Sequence, residues 1–117
     1  MVTHTFKAKS YEVFLGRKLS STIGDKKLEC FAYIVVIGDD EHELTIKFLH
    51  PDSATINNSY DPVTKKATIY ILPEHSHQFS WYIDILRNEK PVYVYLSSTH
   101  PIGNCLYTGK EPVGEGE

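Results

Sequence analysis

Cysteine, tryptophan, long apolar runs and excess charge are all scarce in this chain, and each scarcity removes a class of protein. The two cysteines, Cys30 and Cys105, form no CxxC pair and no zinc spacing. They are expected to be two small buried thiols in a reducing compartment. No apolar run approaches the roughly 18–20 residues of a membrane span. The first residues, MVTHTFKAKSYEV, lack the charged-then-apolar plan of a signal peptide. The expectation is a soluble, cytoplasmic protein without membrane contact. The net charge is only −3, against which a strong polyanion binder would carry a basic excess. Internal repeats, low-complexity tracts and linkers are also missing, so 117 residues are expected to form one domain over 1–110. Residues 111–117 read as an acidic, mobile tail.

Charge is unevenly spread. Residues 1–27 hold six Lys/Arg against two acids, and residues 28–62 hold seven acids against Lys47. The basic N-terminal third supports only a weak nucleic-acid reading, and nucleic acid is disfavoured as a partner.

Strand patterns dominate what is present. Residues 3–15 alternate with a phase switch near Lys9-Ser10, which predicts a bulge or a bend. Residues 16–27 are rich in loop formers and read as a loop. Residues 28–37 are almost continuously apolar and predict a central strand buried on both faces. A turn near Asp39-Asp40-Glu41 joins them to the alternating residues 43–49. Residues 54–60 and 66–72 flank an Asp-Pro turn and predict a second hairpin. Residues 92–98 and 104–108 predict a third.

Between the last two hairpins lies one helix, expected at about 73–88. Pro73 and Glu74 suit its start, Arg87 its end, Asn88 a left-handed terminator, and Pro91 forbids continuation. The expected fold is therefore α+β: a mostly antiparallel sheet of six or seven strands built from hairpins, with the helix packed on one face.

Angular positions on an ideal helix separate three surfaces. Phe79, Tyr82, Ile83 and Leu86 form the stripe expected to lie on the sheet. Ser76, Ser80, Asp84 and Arg87 face water. Trp81 and Ile85 form a second apolar pair on the far side. Three covers are open for that pair: the chain itself, through 16–27 or Val113; a second subunit; or a different protein or ligand. Trp81 and Ile85 are thus the candidate interface residues of a small binding domain, homodimeric through or near this helix face.

Chemistry is thinly marked. His75 and His77 are the one close histidine pair, but positions two apart do not share a helix face, so no metal and no cofactor is expected. Cys105 with His100 lacks an orienting acid and an oxyanion site, and no catalytic residue is assigned. The acidic turn at 39–43 lacks the spaced ligands of a calcium loop, and 16–27 lacks the Gly-Lys-Ser/Thr of a phosphate loop. Tyr93 and Tyr95 project from one strand face as weak ligand or surface contacts, with His75 and His77 beside them in that class. A small hydrolase- or lyase-like enzyme using histidine and acid groups is the alternative function. Weak nucleic-acid binding is the second.

Overall fold

The computed structural model describes residues 3–38, 40–100 and 103–108. Its element order is β1 (Thr3–Ile23), β2 (Lys26–Gly38), β3 (Glu43–Leu49), β4 (Ser59–Asp61), β5 (Lys66–Ile71), α1 (Gln78–Asn88), β6 (Val92–Ser97) and β7 (Cys105–Thr108). The strands form one seven-stranded sheet in the order β4-β5-β3-β2-β1-β6-β7. All neighbours are antiparallel except β3 and β5, which run parallel because β5 inserts between β3 and β4. The expected α+β class is what the structure shows.

Alternation explains which face is buried. Ala32, Ile34 and Val36 of β2 face the core with Leu44, Ile46 and Phe48 of β3, Phe6 of β1, and Val94 and Leu96 of β6. The helix crosses this side, since it must carry the chain from β5 to β6 over β3, β2 and β1. Phe79, Tyr82, Ile83 and Leu86 pack on the core, as their spacing predicts. Phe48 is the centre of the contact. Its ring meets Phe79 at 5.2 Å, Tyr82 at 5.9 Å and Phe31 at 5.9 Å.

Several expectations need correction. The 28–37 strand is central but not buried on both faces, because Tyr33, Val35 and Ile37 stay half-exposed on the side away from α1. One helix covers one face, and the strand's apolar run exceeds what that cover uses. Residues 16–27 are not a loop: β1 runs on to Ile23 and turns through Gly24-Asp25 into β2. Gly24 takes φ 62 at the first central position, the conformation a two-residue hairpin turn needs and glycine supplies. Pairing with β2 overrides the weak strand propensity of the Gly, Ser and Lys residues there.

The expected strand at 54–60 contracts to Ser59–Asp61, since Asn58 instead uses its side chain to accept from the Tyr70 N–H at 2.8 Å. The helix is split. Pro73–His75 form a single 3-10 turn and the α-helix proper begins at Gln78. Asn88 is not left-handed; Glu89 ends the helix in extended conformation, followed by a cis Lys90–Pro91 bond. Cys30 is buried, but Cys105 is exposed. The tail at 111–117 lies outside the described residues.

The bulge expected near Lys9 is present, as a register shift between Ala8 and Ser10, and a second lies between Leu15 and Leu19. A straight 21-residue strand would span roughly 70 Å. The molecule's longest dimension is 46 Å, so β1 bends at these shifts.

Beyond Lys7, β1 pairs only with β2. Among the described residues no strand lies on its other edge.

Candidate functional site

Four segments bring polar side chains together at the end of the core side where β1 begins. His4 lies two residues before core Phe6 and so shares its face. His42 stands two before core Leu44 and is only 6% exposed. Asp40 occupies the turn between β2 and β3. Its Oδ1 accepts from the His42 N–H at 3.2 Å, while the Gly38 N–H donates to the His42 carbonyl at 2.9 Å. Glu41 between them takes φ 72, a left-handed conformation that the turn imposes. Tyr60, from the middle of β4, reaches the same place.

The contacts are close. His4 Nε2 lies 2.6 Å from Asp40 Oδ2, and the His4 and His42 rings stack at 3.8 Å. His42 Nε2 lies 3.1 Å from the Tyr60 hydroxyl. His42 Nδ1 is 3.2 Å from Asp40 Oδ2, yet is buried without completing a hydrogen bond. His4 and Asp40 are about one-third exposed, so the cluster opens to solvent on one side.

Environment sets the charges. Burial, then the neighbouring His4, hold the His42 pKa below the usual imidazole value, although Asp40 pulls the other way. Burial would raise Asp40, but the bonds from His4 and from the His42 N–H outweigh it and its carboxyl is held low. Burial, with Asp40 nearby, raises Tyr60. The arrangement is thus an anionic carboxylate facing a neutral buried imidazole, with a second, half-exposed imidazole alongside.

The residues singled out by sequence lie elsewhere: His75, His77 and Trp81 group around the start of α1, and Tyr93 and Tyr95 lie on β6. Trp81 is 58% exposed on α1, with the His77 ring edge-on at 5.1 Å; Ile85 is half-buried. His75 meets His77 at 6.3 Å between ring centres. Tyr93 and Tyr95 lie on the sheet face away from α1, Tyr93 stacked on Tyr107 at 5.4 Å. On that same face Phe14 stacks on Tyr33 at 4.5 Å. A groove of about 820 Å³ opens between Lys26, Asn58, Tyr70, Leu72 and His100; its lining does not include His4, Asp40 or His42.

Sequence reasoning missed the His4–Asp40–His42 group because His4 comes from β1, 36 positions before the β2–β3 turn that carries Asp40 and His42. One signal was there: both histidines sit in the phase of the core residues that follow them, where a polar side chain needs a partner.

No protein-family model, curated protein or solved structure matches this chain. No helix among the described residues is long and apolar enough to cross a membrane.

Proposed function

We propose that this chain is an interaction domain that pairs with a second copy of itself along the free edge of β1. One observation carries the reading: residues 12–15 combine a strand edge that no described strand pairs with and apolar side chains on both faces. Val13 is 42% exposed, Phe14 40% and Leu15 72%. An open edge is a template for strand addition. Covering three such side chains recovers about 3 kcal/mol, taking roughly half of the 1.5–3 kcal/mol for complete burial of each.

Charge favours a second copy as the occupant. Glu12 precedes the apolar window and Arg17 follows it, while Lys18 is engaged within the chain by Glu29. Antiparallel pairing about a two-fold axis lays the acidic end of each strand against the basic end of the other. The register shifts on either side confine the window to a few residues, which suits a closed dimer better than an open-ended fibre.

A second reading keeps the contact on α1, where Trp81 projects far into solvent. Mass in solution over a wide concentration range separates the two. The β1 reading expects twice the 13.3 kDa of one chain. It also expects a Val13→Lys/Leu15→Lys variant to be monomeric and Trp81→Glu to stay dimeric. The reverse pattern moves the contact to α1, and a wild type that is monomeric throughout removes both.

A further inference from the structure

We propose that His4, Asp40 and His42 form a binding site for a divalent transition metal of the zinc class. The ligands are His4 Nε2, an Asp40 carboxylate oxygen and His42 Nδ1, and Tyr60 orients the His42 ring. This assignment is independent of how the chain self-associates.

Spacing comes first. The three donor atoms lie within 4.8 Å of one another, and this is the group of its kind among the described residues. Ligands on a tetrahedral zinc, at 2.0–2.1 Å from the ion, stand about 3.3 Å apart. Asp40 Oδ2 already lies 2.6 Å from His4 Nε2 and 3.2 Å from His42 Nδ1. Seating an ion there requires the His4–Asp40 hydrogen bond to open and the His4 ring, about one-third exposed, to turn out of its stack on His42.

The second observation is the unpartnered nitrogen. His42 is more than nine-tenths buried, and its Nδ1 faces the Asp40 carboxylate without a hydrogen bond. The other ring nitrogen is engaged by Tyr60. With Nε2 taken up by Tyr60, Nδ1 is the ring nitrogen left turned toward Asp40 Oδ2, 3.2 Å away, and a cation seated between these two atoms would engage both. A metal-bound histidine is usually held in this way, through its second nitrogen.

Donor chemistry selects the metal. Two imidazoles and one carboxylate suit zinc, cobalt, nickel or copper, whereas magnesium and calcium take oxygen cages. Three protein ligands with a solvent-exposed side leave one position open, which is the plan of a site that binds a further ligand.

The test is titration of the chelator-stripped full chain with zinc chloride by calorimetry, and with cobalt chloride by visible absorption. One ion per chain is expected, with a cobalt band free of thiolate charge transfer. His4→Ala and Asp40→Asn should each weaken binding at least about tenfold, and His77→Ala should leave it unchanged. His42→Ala risks misfolding because the ring is buried; His4 is partly exposed and keeps the test valid, with circular dichroism checking the fold. Absence of both signals overturns the proposal. So does binding that survives His4→Ala but is lost in His77→Ala, which would assign the metal to the start of α1.

Discussion

Replacing Gly38 with alanine tests the packing that supports this site. Gly38 is the last residue of β2, is buried, and pairs with Ala8 across the sheet. Its φ is not in the left-handed region, so backbone freedom is not why glycine is there. Space is. A Cβ on Gly38 would collide with Phe6 Cδ2 and come within 2.9 Å of both Phe6 Cε2 and Asp40 Oδ1. Phe6 is 3% exposed and cannot simply swing into solvent. Overpacking of this kind costs about 1–3 kcal/mol. At roughly 2.1 cal/mol/K of unfolding entropy per residue, each kcal/mol lowers Tm by about 4 °C in a chain of this length. Gly38→Ala is thus expected to melt about 4–12 °C below wild type. Phe6→Leu removes the colliding ring, so the double variant should recover part of the loss, with a coupling of about 1 kcal/mol or more between the positions. Thermal melts of the four proteins supply the cycle. A Gly38→Ala protein that melts with wild type, or strictly additive effects, would refute the reasoning.

Phe48→Ala should cost about 3–5 kcal/mol, since the ring is fully buried under α1 against Phe31, Phe79 and Tyr82; a urea midpoint series reads the loss. Alkaline pH should destabilise the fold in a defined window. Burial raises the pKa of Cys30, Tyr60, Tyr70 and Tyr82 above ordinary values of 9.0 for the thiol and 10.0 for the phenols. Each therefore binds its proton more tightly folded than unfolded, and stability holds below about pH 9 and falls as pH climbs through 9–10 and beyond. Urea midpoints that stay level to about pH 10.5, roughly 1.5 units above the ordinary thiol value of 9.0, would contradict those shifts.

Much of the fold is legible because its signals are local. The α1 stripe at Phe79, Tyr82, Ile83 and Leu86 needs only helical periodicity, and the β2–β3 hairpin needs only two apolar patterns and a turn. The bulge at Lys9 shows as a change of parity. Residues 16–23 fail this test for a physical reason. Their composition favours turns, and what holds them extended is pairing with residues 26–30 together with the ion pair from Lys18 to buried Glu29 at 3.0 Å. The parallel β3–β5 pairing is illegible for a similar reason: order in a sheet depends on where β4 returns, not on the pattern within either strand.

The polar cluster stands at the limit of what pattern reveals. His4 and Asp40 are 36 positions apart, and only Asp40 and His42 are near each other in the chain. What the sequence does carry is parity: His4 in phase with Phe6, and His42 in phase with Leu44. A histidine on the buried phase of a strand costs desolvation unless it is partnered. Here His4 falls on β1 and His42 just before β3, strands that the sheet order separates by β2, and the β2–β3 turn supplies the carboxylate between them. Phe6 and Gly38 then set the spacing, because the ring lies against the glycine beside Asp40. The same residues that close the core at this end thus place Asp40 Oδ2 between His4 Nε2 and His42 Nδ1. A fault in that packing should therefore appear in metal binding as well as in stability, whereas a fault at Phe48, at the far end of β3 from His42, should appear in stability alone.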